Sequence, residues 1–202
     1  MASPARWGSP HRGPGRSATP GRAGAPPRIA DLAATLTIRP AQPDDAPSIA
    51  AIYNEGIAER QATFETRLRE PEEIRAWLHG PFPVVVAVLG DTIVGFAKIG
   101  PYSEREVYAG IGEHGVYVAT TARRQGAGLA LLEALAGAAE QVGLYKLTSR
   151  IFSTNTASLA LHEAAGFTTV GTQRHHGILD GQWRDCVLVE RLLGEAAAQG
   201  TA

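Results

Sequence analysis

Ordered alternation of apolar and polar residues begins only at Thr35. Leu36-Thr-Ile-Arg, apolar at alternate positions, predicts a short strand ahead of Pro40. Ile49, Ile52, Tyr53 and Ile57 then recur at helical spacing, behind Asp44 or Asp45, either of which can cap the helix. A second helix is predicted from Pro71, burying Ile74, Trp77 and Leu78 and stopping at Gly80. Pro83-Val-Val-Val-Ala-Val and Thr92-Ile-Val-Gly-Phe-Ala flank Gly90-Asp91, a hairpin signal. Strands follow at Gly115–Val118 and Lys146–Phe152, each succeeded by a helix, and a last hairpin turns at Asp180-Gly181. Strand, two helices, an antiparallel run, helix, strand, helix and two strands make a mixed α/β order. That order argues against a uniformly parallel doubly wound sheet.

Composition adds a boundary. Residues 1–34 are rich in Pro, Gly, Ala and Arg and hold almost no large aliphatic residue before Ile29, which predicts disorder. The stretch lacks the apolar region of a secretory signal, and its prolines and glycines argue against an amphipathic targeting helix. A dispensable extension, or a start codon placed too early, is the expectation. It carries five arginines and one acid, so of 19 basic and 20 acidic residues 14 and 19 remain downstream, a net charge of −5. A domain of that sign has no electrostatic reason to bind nucleic acid. No apolar run approaches the roughly 20 residues of a membrane helix. The single cysteine, Cys186, sits in an apolar strand and reads as a buried structural thiol, and no metal-ligand spacing appears.

The sharpest chemical signal is Val116-Tyr-Val-Ala-Thr-Thr-Ala-Arg-Arg-Gln-Gly-Ala-Gly-Leu. A strand gives way to a turn carrying Arg123, Arg124, Gly126 and Gly128, then to a helix with Leu129, Leu132, Leu135 and Ala138 expected on its buried side. Glycine lets a backbone approach a ligand, and a helix N-terminus with flanking arginines favours an anion. A Walker loop would need Gly-Lys-Ser/Thr, and a dinucleotide fingerprint a third glycine where Leu131 stands.

This loop resembles the coenzyme A motif of the GNAT N-acetyltransferases, and the resemblance spans about residues 36–194. Within that superfamily the chain is similar to the phosphinothricin and arsinothricin N-acetyltransferase branch. Five features carry the likeness: Asn54-x-x-Ile57 with Phe64; Pro101-Tyr-x-x-Arg105-x-x-Tyr108; Glu113-x-x-Val-Tyr-Val; Asn155-x-x-Ser158-x-x-x-His162-Glu-x-x-Gly-Phe; and His176-Gly-x-x-x-Gly181-x-Trp183-x-Asp185. The resemblance implies a mostly antiparallel central sheet with one splayed parallel strand pair, flanked by about four helices. The domain would occupy 35–194, with a flexible tail at 195–202. It also implies a cytoplasmic homodimer that moves acetyl from acetyl-CoA to a primary amine, with no metal and no membrane partner.

The same resemblance implies roles for residues. The coenzyme's pantetheine arm would pair with Val116, Tyr117 and Val118. Its pyrophosphate would sit on the backbone of Arg124 to Gly128, the coenzyme-binding set running Arg123, Arg124, Gln125, Gly126, Ala127, Gly128 and Leu129, with Asn155 and Ser158 in support. Glu113 would take the amine proton, and His162 would serve as acid or base. The Val118 N–H would stabilise the oxyanion. Arg105 and Tyr108 would hold one acidic group of the acceptor and Arg174 and His176 another, with Phe64 as a wall. Methionine sulfone, methionine sulfoximine or another small amine is the alternative acceptor. A non-catalytic acyl-CoA-binding module would keep the loop but has no need for Glu113, Arg105 and His162 together.

Overall fold

The computed structural model describes residues 36–199; the expected extension at 1–34 and the last three residues of the expected tail lie outside the described residues. Seven strands form one sheet: β1 (Leu36–Pro40), β2 (Val84–Leu89), β3 (Thr92–Pro101), β4 (Ile111–Val118), β5 (Lys146–Phe152), β6 (Thr168–Leu179) and β7 (Gln182–Leu192). Their spatial order is β1-β2-β3-β4-β5-β7-β6, and only the β4–β5 pair is parallel. The hairpins turn at Gly90 and at Asp180-Gly181, where positive φ suits glycine.

Among the described residues five α-helices accompany the sheet: α1 (Ala46–Glu59), α2 (Pro71–Leu78), α3 (Ala127–Gln141), α4 (Thr156–Ala164) and the short α5 (Gly194–Ala198). The sequence led us to expect about four, because a five-residue helix gives no periodic signal; α5 occupies the start of the expected tail. Ile49, Ile52, Tyr53 and Ile57 of α1 are all buried, packing with Ile74, Val84, Val86 and Phe96 on one face of the sheet. The other face packs Val85, Ala87, Ala97 and Ile99 against α3. The period-2 split of β2 therefore serves both cores. The buried stripe of α3 is Leu131, Leu132, Leu135, Ala136 and Ala139, a rotation from the one expected, and Leu129 and Ala138 sit only half-buried at its margin.

Asp45 holds the N-cap position of α1, but its side chain makes no capping hydrogen bond to that helix. Its carboxylate accepts from Nη1 and Nη2 of Arg39, at 2.6 and 2.8 Å, and from the Gln42 N–H at 2.7 Å, so it ties β1 to the start of α1. The Arg39 hydrogen bonds foremost, with burial opposing, hold its pKa below the usual carboxylate value. A depressed folded-state pKa gives stability that is present above the unfolded value of about 3.9 and lost as pH falls through the folded one. Arg39 is 37% exposed, which screens the pair. Asp45→Asn should therefore lower stability by about 1–2 kcal/mol at neutral pH. In urea denaturation that deficit should shrink below about pH 4; a deficit as large in acid as at neutrality would contradict the assignment.

Candidate active site

Parallel pairing between β4 and β5 lasts for three residues: Ile111 with Lys146, Gly112 with Leu147, and Glu113 with Thr148. Beyond Glu113 the strands diverge. Ser149 marks the fork, its Oγ donating to the His114 carbonyl at 3.0 Å. Since the His114 carbonyl faces β5, strand alternation turns the peptide groups of Val116 and Val118 the same way. Gly115 and Tyr117 are turned toward β3, in keeping with the next bond of that series, from the Ala119 N–H to the Val94 carbonyl. The opening thus presents the N–H and C=O of Val116 and the N–H of Val118. The Val118 carbonyl is taken by Arg123 Nε at 3.1 Å.

The loop that follows was expected to hold pyrophosphate on the backbone of Arg124 to Gly128, and several of its residues are engaged with the protein itself. Arg123 pairs with Glu59 at 2.7 Å, fastening the loop to α1. Gln125 folds back onto the Thr121 carbonyl at 3.2 Å. A Cβ at Gly128 would lie 2.9 Å from Leu161, so that glycine permits α3 and α4 to approach. What remains is backbone. Gly126 caps α3 at φ +88°, and a Cβ there would meet nothing within 4 Å. The first intrahelical bond runs from the Ala130 N–H to the Gly126 carbonyl, so the N–H groups of Ala127, Gly128 and Leu129 are the open donors of the first turn. Arg124, at φ +60°, stands exposed beside them. An unhindered glycine cap, three free donors and a cation suit a pyrophosphate, and the open strand edge suits an amide-bearing arm.

Tyr117 belongs elsewhere. Its half-buried ring stacks on Phe96 at 5.2 Å and lies edge-on to Tyr53 at 4.8 Å, and desolvation pushes its hydroxyl pKa up. Asn155 makes two structural hydrogen bonds through its amide, accepting from the Ser158 N–H at 3.1 Å and donating to the Gln61 carbonyl at 3.0 Å. Ser158 contributes its carbonyl, which accepts from His162 Nδ1 at 2.7 Å.

That bond sets the tautomer of His162 and leaves Nε2 as an acceptor, 3.1 Å from His114 Nε2. Both imidazoles are buried, and burial holds both below the usual histidine range. His162 was expected to exchange protons near neutral pH; both its ring nitrogens are engaged, burial foremost lowers its pKa, and its ring packs against His114 and Phe167. His114 went unremarked in the sequence because nothing there shows that β4 and α4 meet.

Glu113 was expected just upstream of the strand and instead lies within β4, at the last paired position. Its Oε1 accepts from Arg150 Nη1 at 2.5 Å, across the mouth of the fork. Phe64 plugs a satellite core, edge-on to Phe152 at 4.8 Å and in the space that a Cβ at Gly177 would occupy. Asn54 brackets Arg69, donating to its carbonyl and accepting from its N–H, and so fixes the loop between α1 and α2. Arg105 lies on the exposed β3–β4 loop, its guanidinium 5.4 Å from the Tyr108 ring, and makes no ion pair among the described residues. Arg174 and His176 are exposed on a bulge of β6. Arg105, Tyr108, Arg174 and His176 make no hydrogen bond or ion pair with Glu113 among the described residues; its partner is Arg150. Among the described residues, no cluster of His, Cys, Asp and Glu could hold a metal, and no helix is long and apolar enough to cross a membrane.

Comparison with known proteins agrees with this geometry. The sequence profile of the acetyltransferase (GNAT) family matches residues 49–167. The chain is 35% identical over 187 residues to the phosphinothricin N-acetyltransferase of Alcaligenes faecalis, covering 89% of this chain and 95% of that protein. It is 32% identical over 171 residues to the L-methionine sulfoximine/L-methionine sulfone acetyltransferase of Pseudomonas aeruginosa, covering 77% and 94%. A phosphinothricin acetyltransferase structure from Sinorhizobium meliloti, in complex with AcCoA, superposes with a TM-score of 0.75 at 30% identity, covering 83% of this chain and 94% of that one. A fork in a mostly antiparallel sheet, a glycine-capped helix beside it and these relationships together place the chain in the acetyltransferase (GNAT) family.

Proposed function

We propose that this acetyltransferase uses acetyl-CoA to acetylate the α-amine of a small amino acid carrying an oxyanion head, phosphinothricin or arsinothricin. The observation that carries the reading is the fork, with free peptide groups on one strand and Glu113 at its mouth. Bound acetyl-CoA supplies a thioester carbonyl carbon and a thiolate leaving group. The open edge at Val116 orients that arm, and the Val118 N–H receives the charge that develops on the carbonyl oxygen. An amine attacks only when neutral, so Glu113, directly or through water, accepts the proton released as the N–C bond forms. Acetylation cancels the acceptor's ammonium charge, and the product no longer imitates glutamate. Methionine sulfone or sulfoximine is the second reading. It is favoured by relatives of that activity at 29–32% identity, close to the 32–35% of the phosphinothricin enzymes.

Purified enzyme with acetyl-CoA and a panel of amines, read by thiol release, tests the acceptor. Turnover of phosphinothricin or arsinothricin is expected; good turnover of methionine sulfone with none of either would transfer the assignment to the second reading. Glu113→Gln should lower kcat by about 100-fold or more while leaving the Kd for acetyl-CoA within about two-fold. An unchanged kcat would remove Glu113 from the chemistry.

A further inference from the structure

Glu113 stands in a part of the sheet with few side chains to hold it. Its partner across on β3 is Gly100, and Thr148 of β5 turns its hydroxyl to the Val189 carbonyl at 2.9 Å. The next residue on the same face of β4 is Gly115, covered by the Tyr117 ring; a Cβ there would lie 3.2 Å from it. Lys98 of β3 is held over the Trp77 ring, 4.3 Å from its centroid, and makes no ion pair with Glu113. Continued past the last parallel pair, the register would set Arg150 opposite Gly115. With no side chain there to meet, Arg150 leans back across the opening to Glu113. Ser149 and Arg150, successive residues of β5, thus reach β4 from opposite faces, one to the His114 carbonyl and the other to the Glu113 carboxylate. Among the described residues, Arg150 is the one side chain that bonds that carboxylate.

The contact is one donor to one oxygen, Nη1 to Oε1 at 2.5 Å, and Oε2 is unbonded among the described residues. Arg150 Nε is buried without a hydrogen-bond partner. A partly exposed ion pair with an orphaned donor adds little to stability. Its effect is on geometry. We infer that Arg150 is the positioning residue of the base: it anchors Oε1 of Glu113 and leaves Oε2 free at the mouth of the fork for the amine proton. The inference rests on the reading of Glu113 as that base. As the N–C bond forms, the amine N–H proton passes to Oε2, and the electron pair of the broken C–S bond leaves on the coenzyme sulfur. Arg150 keeps its hold on Oε1 throughout and exchanges no proton, since a guanidinium is not deprotonated in a protein. A reacting group displaced by about 1 Å can lose on the order of 100-fold in rate, so one anchored oxygen is enough to decide turnover.

A double-mutant cycle tests this, with thiol release measured on the amine of the panel that the wild type turns over fastest. Arg150→Met should lower kcat by about ten-fold or more, with the KM for acetyl-CoA within about two-fold and the urea midpoint near wild type. Arg150→Gln takes its place in the cycle if the Met variant does not fold. Arg150→Lys should recover most of the lost kcat, because a single donor to a single oxygen is within the reach of an ammonium. In the Glu113→Gln background, Arg150→Met should cost no more than about two-fold, since the group it positions is already gone. An equal loss in both backgrounds overturns the positioning role and leaves Glu113 as the base. So does a wild-type kcat in Arg150→Met, a raised KM for acetyl-CoA in place of a lowered kcat, or a Lys variant no better than Met. Full activity in Glu113→Gln is the separate failure: it removes the base itself, and the inference with it.

Discussion

The fork between β4 and β5 is the constraint on which the rest of this protein depends. Unpaired peptide groups in the interior of a sheet are unfavourable, each comparable to a lost hydrogen bond. The chain confines that exposure to a few groups. Ser149 satisfies the His114 carbonyl and Arg123 satisfies that of Val118, which leaves the edge of Val116 and the Val118 N–H for a ligand. Three parallel pairs below the fork and seven antiparallel pairs to β3 hold β4 while its other edge stays open.

What keeps the fork from closing is packing on both faces. Tyr117 anchors β4 to α1 through Tyr53, and Gly56 permits the approach, since a Cβ there would stand 3.0 Å from the Tyr117 ring. On the opposite face His114 meets His162 and Phe167, so α4 fills the region beside the diverging strands. At the same end, Glu59 and Glu55 of α1 bind Arg123 and Thr120 and set the loop that leads into α3. One strand, two cores and one loop thus position a free backbone edge next to a helix N-terminus.

Much of this was legible in the sequence for local reasons. The hairpins at Gly90-Asp91 and Asp180-Gly181, the stripe Ile49–Ile57 and the strand Lys146–Phe152 all obey short-range periodicity, and the structure has them where the pattern put them. Gly126 was legible because a glycine ahead of a helix has few other uses. Roles that depend on what lies across the sheet were not. Nothing local shows that Arg123 meets Glu59, that Gly128 yields to Leu161, or that His162 is sealed by His114.

The central claim is that the open edge of β4 and the first turn of α3 receive acetyl-CoA. Amide hydrogen exchange, resolved by residue with and without saturating acetyl-CoA, tests it most directly. Slower exchange at Val116, Val118 and Ala127–Leu129, with Gly115 and Tyr117 unchanged because β3 already binds them, is the predicted result. Unaltered exchange at Val116 and Val118 in the saturated enzyme would contradict it.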